Sequence, residues 1–222
     1  SDSALTIKGD TKISGTNSRI EAERTGSIKI MGNTDVLNGE ISIENKASLS
    51  IDGNTSVVGA GTLFVGNNST ATFGGDLTIN ESKFNVKDNS TATIDGNLTL
   101  NNVEDTNVWS QVKGNSSLTV NGDLNMKGHY MPGFYTEDND IKFFRNDFII
   151  NGENGGASTA LIKGDVNLTD NSHFMTQTYG HSQTDHTTYH PRDDFEKLSS
   201  TTIEGNVTVD RNSRFGAYSA SD

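Results

Sequence analysis

Apolar and polar residues alternate along this chain in short runs that repeat. Between Ser90 and Leu100, Ala92 and Ile94 are separated by threonine, a Gly96-Asn97 corner follows, and Leu98 and Leu100 resume the alternation about Thr99. Successive side chains of a strand point to opposite faces, so the run predicts two half-buried strands meeting at a corner. Glycines equivalent to Gly96 stand at Gly9, Gly32, Gly53, Gly75, Gly122, Gly164 and Gly205, which makes eight copies. Two residues before them stand Ile7, Ile30, Ile51, Phe73, Ile94, Val120, Ile162 and Ile203, and four residues after them Ile13, Val36, Val57, Ile79, Leu100, Met126, Leu168 and Val209. Directly after each glycine comes Asp10, Asn33, Asn54, Asp76, Asn97, Asp123, Asp165 or Asn206.

A third alternating run completes each copy: Arg19 to Ala22, Glu40 to Ile43, Thr62 to Val65, Lys83 to Val86, Val108 to Val112, Asp147 to Ile150, Ser172 to Met175 and Ser213 to Gly216. The glycines are 21 to 26 residues apart as far as Gly122, then 42 and 41 residues apart. Three short strands in a period of the low twenties predict one coil of a parallel β-solenoid. One coil buries too few apolar side chains to offset its backbone entropy, so stacking must stabilise it. The expectation is a single all-β domain over residues 1–222, with about eight coils spaced by ~4.8 Å and a length on the order of 40 Å.

Gly66-Asn67-Asn68-Ser69 and Lys87-Asp88-Asn89-Ser90 are predicted corners, because Asn and Gly tolerate positive φ. Stacked asparagines are expected to bond to one another up and down the rod. The Asn-x-Ser/Thr sequences at Asn68, Asn89, Asn97, Asn167 and Asn206 are read as turns rather than glycan acceptors.

Two insertions interrupt the pattern. The first, residues 127–146, lies between the second and third strands of its coil and concentrates aromatics at Tyr130, Phe134, Tyr135, Phe143 and Phe144. Long loops are uncommon in compact folds and often carry function, so these are candidate binding residues. The second, residues 179–198, holds His181, Asp185, His186 and His190. Imidazole and carboxylate suit first-row metals, which makes these four weak metal candidates, but their spacing matches no zinc motif, and a solvated polar loop is the preferred reading over a metal site or a pH-responsive surface. The first insertion enters a third strand and the second leaves the next one, so both should rise at opposite edges of one face and bracket a shallow groove.

Composition narrows the functional classes. The chain has no cysteine, which excludes disulfides and thiolate metal sites. Its net charge of −12 carries no basic stripe, so nucleic acid and anionic membranes are poor partners. No apolar run is long enough to span a bilayer, the N-terminus lacks the features of a signal peptide, and neither end reads as a cap, as expected of a stretch of a longer solenoid. A β-helix can also carry a polysaccharide-cleaving site, which needs paired carboxylates or a base beside a calcium cluster. The strands offer mainly corner residues; Asp123 and Asp165, on successive coils, would repel unless a cation or proton sits between them. With no HExxH, phosphate-binding glycine loop or supported Ser/His/Asp order, neither catalysis nor a cofactor is expected.

Ser90 to Leu100, and again Ser116 to Leu124, resemble the imperfect repeats of Gram-negative autotransporter passenger domains, especially the AIDA and antigen 43 class of adhesins. The resemblance covers nearly the whole chain outside the two insertions. It implies a right-handed three-faced β-helix, export through a C-terminal barrel, and display on the bacterial surface or release from it. The function expected from it is adhesion or self-association, with partners that are identical copies or a host receptor, matrix or glycan. Alternatives are a secreted ligand or toxin for a host receptor and a polysaccharide-active enzyme.

Overall fold

The computed structural model describes residues 2–102, 108–129, 146–152, 157–178 and 199–219. Among these, 24 strands form three parallel eight-stranded sheets, and no helix is present. Sheet A takes the strand before each anchor glycine: Ala4–Ile7, Ser27–Ile30, Ser48–Ile51, Thr70–Phe73, Thr91–Ile94, Ser117–Val120, Thr159–Ile162 and Ser200–Ile203. Sheet B takes the strand after it: Thr11–Ser14, Thr34–Leu37, Thr55–Val58, Leu77–Asn80, Leu98–Asn101, Leu124–Lys127, Val166–Thr169 and Val207–Val209. Sheet C holds Arg19–Glu23, Glu40–Glu44, Thr62–Val65, Lys83–Lys87, Val108–Lys113, Asn146–Gly152, Ser172–Thr178 and Arg214–Ser219. The fold is a β-solenoid with three strands per coil.

The equivalent positions of the sequence repeat are in physical register. Ile51 pairs with Phe73, Phe73 with Ile94, Ile94 with Val120 and Val120 with Ile162, all buried inside sheet A. Beneath sheet B, Val57, Ile79, Leu100, Met126 and Leu168 stack in the same way. Under sheet C an aromatic column replaces the aliphatic one: Phe148 pairs with Phe174 and Phe174 with Phe215, with ring centroids 5.5 and 5.7 Å apart. Ser110, paired with Phe148, occupies the column where a large side chain is expected, and Phe84 reaches to within 6.4 Å of Phe148 across that gap. The Phe84 N–H donates to the Ser110 hydroxyl at 3.1 Å, so the small residue is also satisfied.

Two ladders of hydrogen bonds lock the corners in opposite directions. Between sheets A and B, each Asx side chain accepts from the backbone of the following coil: Asn33 N–H donates to Asp10, Asn54 to Asn33, Asp76 to Asn54, Asn97 to Asp76, Asp123 to Asn97, Asp165 to Asp123 and Asn206 to Asp165, at 2.7 to 2.9 Å. This resolves the repulsion expected between Asp123 and Asp165, since an N–H dipole lies between the coils at that point. Asparagine side chains also bond to one another between coils, as expected, Asn115 to Asn89 and Asn167 to Asn125, while the continuous ladder at this corner runs from side chain to backbone. Between sheets C and A the polarity reverses. Ser69 N–H donates to Ser90, Ser90 to Ser116, Ser116 to Ser158 and Ser158 to Ser199, each backbone reaching the hydroxyl of the next coil.

The anchor glycines turn the corner without positive φ; they are needed because the coils nearly touch. A Cβ added to Gly122 would lie 2.5 Å from Asn97 Oδ1 and 2.7 Å from the Gly96 carbonyl oxygen. Positive φ falls instead on residues that follow the strands of sheet B, such as Asn38 and Glu81, and of sheet C, such as Asn67 and Asn68 or Asp88 and Asn89, the latter as the sequence predicted for those asparagines.

Candidate functional site

Sheets A and C present outer faces of different chemistry. On sheet A, Ser48, Thr70, Thr91, Ser117, Thr159 and Ser200 form one outward column, and Ser50, Thr72, Thr93, Thr119, Leu161 and Thr202 form the other. The Thr91 and Ser117 hydroxyls approach to 3.0 Å across coils. Apart from Lys29, held 3.3 Å from Asp52, no outward strand residue of this face is charged.

Sheet C changes character from coil to coil. Its outward positions begin with Arg19 among the acidic Glu21, Glu23, Glu40 and Glu44, become basic at Lys83, Lys87 and Lys113, and then bring Trp109, Asp147, His173 and Arg214 into adjacent register. Trp109 is 59% exposed, the largest such fraction among the exposed large apolar residues described. Its register neighbour Asp147 is only 9% exposed and His173 7%, although both belong to outward positions of the strand. His173 Nδ1 lies 3.3 Å from Asp147 Oδ1. The contact is one of proximity, since Asp147 Oδ1 accepts no hydrogen bond. The outward neighbours of the pair are Trp109, Ile149, Met175 and Arg214, none with a hydroxyl or thiol to serve as nucleophile.

Three buried acceptors on this face have no hydrogen-bond donor: Asn85 Oδ1, Asp147 Oδ1 and Asn151 Oδ1. Asn85 is 7% exposed and pairs with Phe64 on one side and Gln111 on the other. Lys87 lies over the Phe64 ring, 6.0 Å from its centroid.

The aromatic candidates Tyr130, Phe134, Tyr135, Phe143 and Phe144 and the polar candidates His181, Asp185, His186 and His190 all lie outside the described residues. The roots of both insertions are described. Lys127 belongs to sheet B and Asn146 opens its sheet C strand, so the first interruption is shorter than 127–146. Asn146 is buried and pins this root, its amide donating to the Leu100 and Lys127 carbonyls at 2.7 and 3.1 Å. The second insertion departs from the end of Ser172–Thr178, the strand paired with Asn146–Gly152. The two roots therefore sit at opposite ends of adjacent sheet C strands, where the repeat pattern placed them.

Sequence reasoning missed the Asp147–His173 pair and Trp109. Aligning the third runs on Phe148, Phe174 and Phe215 would have put Asp147, His173 and Arg214 in one column. Among the described residues, no group of three or more His, Cys, Asp or Glu could hold a metal ion. No family model matches this chain, and no curated protein or solved structure matches it.

Proposed function

We propose that this chain is an adhesive rod of the autotransporter passenger kind, displayed on a bacterial surface, which holds to other copies of itself. The observation that carries the reading is the uncharged hydroxyl lattice on sheet A, in a molecule of net charge −12. Two acidic rods repel wherever their charged faces meet, and sheet A is the face on which hydroxyls can bond without bringing carboxylates together. Eight strands at ~4.8 Å and four residues at ~3.3 Å give a face of about 450 Å² per partner. A pair of such faces buries about 900 Å², near the lower bound of specific association, so each contact is weak and many rods on one surface supply avidity.

Sedimentation velocity tests this. The chain is expected to self-associate at physiological salt and less so at about 0.01 M salt, where the Debye length grows to ~30 Å and acidic repulsion extends. Thr72→Glu combined with Thr93→Glu places like charges opposite each other and should return the rod to a monomer. A parent chain that stays monomeric at all salt concentrations, on cells as in solution, overturns the reading.

A further inference from the structure

We propose that Asn38 is a self-modifying position: its side chain closes onto the Gly39 nitrogen, ammonia leaves, and water opens the ring to aspartate or isoaspartate. The inference is independent of the self-association face on sheet A. Side-chain amides are among the thermolabile groups of a protein, and glycine, having no Cβ, shields its own nitrogen least from such a ring closure. The chain has three Asn-Gly sequences, at Asn38, Asn121 and Asn151, and the fold treats them differently.

Asn121 is held at both reacting ends. Its amide donates to Asp95 Oδ1 at 2.8 Å, and the Gly122 N–H, which would have to give up its proton, donates to the Gly96 carbonyl at 3.1 Å. Asn151 and Gly152 lie inside a sheet C strand, paired with Gln177 and Thr178, which keeps their backbone extended. Asn38 is exposed and sits outside the strands, at the corner between Thr34–Leu37 and Glu40–Glu44, with φ of 56°. Among the described residues no acceptor takes the Gly39 N–H and no partner takes the Asn38 Nδ2, so neither the departing proton nor the departing amide breaks a hydrogen bond. Asn38 Oδ1 accepts from the Ala60 N–H at 3.2 Å, and this is the oxygen on which charge develops as the nitrogen attacks.

The Gly39 nitrogen bonds to Cγ as the Cγ–Nδ2 bond breaks, and the proton it sheds leaves with the amide as ammonia. Water then cleaves either imide C–N bond, giving aspartate or, through the side-chain carbon, isoaspartate; nothing is oxidised or reduced. Isoaspartate lengthens the backbone by a methylene. That pulls on the Glu40 N–H bond to the Ser18 carbonyl, now 3.0 Å, and on the Thr62 N–H bond to the Gly39 carbonyl, now 3.3 Å, and so loosens this corner against both neighbouring coils.

Peptide mapping by mass spectrometry tests this on the intact folded chain held in warm, mildly alkaline buffer. Asn38 should convert at least about tenfold faster than Asn121 or Asn151, with release of ammonia in step. In denaturant, where corners and strands are gone, the three sites should convert at similar rates. The Asn38→Asp chain supplies the aspartate standard from which the isoaspartate peptide separates. The proposal is overturned if Asn38 stays intact in the folded chain, if the three sites keep pace there, or if Asn38 leads by the same factor in denaturant, which would assign its rate to local sequence and not to the corner.

Discussion

The outer faces of sheets A and C are built on the same coils, yet one repeats a single chemistry and the other changes it at nearly every coil. Thr70, Thr91 and Ser117 follow one another on sheet A as near-copies, whereas Lys83, Trp109, Asp147 and His173 follow one another on sheet C. Both faces cover a continuous buried column, so the solenoid does not require its outward residues to match. What it requires is at the corners and inside. The uniform face is therefore suited to repetitive contact along the rod, and the varied face is not.

The strongest test of that division is at a corner. Gly122→Ala adds a Cβ that would stand 2.5 to 2.9 Å from Asn97 Oδ1 and the Gly96 carbonyl, and two of those three atoms are backbone. The coils must move apart locally, straining the Gly122 N–H bond to Gly96 O, now 3.1 Å, and the Asn97 to Asp123 rung. Denaturant titration should show a loss of roughly 2–4 kcal/mol. A loss below about 0.5 kcal/mol would mean that the corners tolerate variation as the sheet C face does.

The two corner ladders should differ in a graded way. Ser90 is fully buried, and Ser90→Ala leaves the Ser69 N–H without an acceptor inside the protein, at a cost of about 1–3 kcal/mol. Asn97 accepts at a corner that water reaches, so Asn97→Ala should cost about 1 kcal/mol, and Asn97→Asp should be close to neutral because Asp76 and Asp123 already do the same work in neighbouring coils. If Asn97→Ala proves the costlier of the two alanine variants, burial is not what ranks the ladders. Equilibrium unfolding of the three variants decides it.

Most of the fold was legible because a solenoid writes its register into its sequence. Each coil lies on the next with its equivalent residues paired, so aligning Ile94 with Val120 or Leu100 with Met126 in sequence is aligning them in space. The serine ladder was equally open to reading, since Ser69, Ser90, Ser116, Ser158 and Ser199 each stand six residues before an anchor glycine, but a small polar residue gives no apolar signal. The glycine requirement was half legible: spacing showed that glycine recurs, and only the proximity of the previous coil showed why. Trp109 and the Asp147–His173 pair were hidden for the opposite reason. They occupy outward positions that the repeat leaves unconstrained, so nothing in the periodicity marks them.

The smallest effect separates scaffold from surface most cleanly. Lys83 is an exposed outward residue of sheet C whose register partner in the preceding coil is Thr62, so threonine already fits this position on the same sheet. Lys83→Thr exchanges a long charged side chain for a β-branched one that suits a pleated surface, removes one positive charge from the Trp109 patch, and touches neither the core column nor a ladder. Equilibrium unfolding should show stability moving by no more than about 0.5 kcal/mol in either direction. A stability loss as large as that of Ser90→Ala would show that Lys83 serves the rod, and the variation along sheet C would then be part of the scaffold instead of being laid upon it.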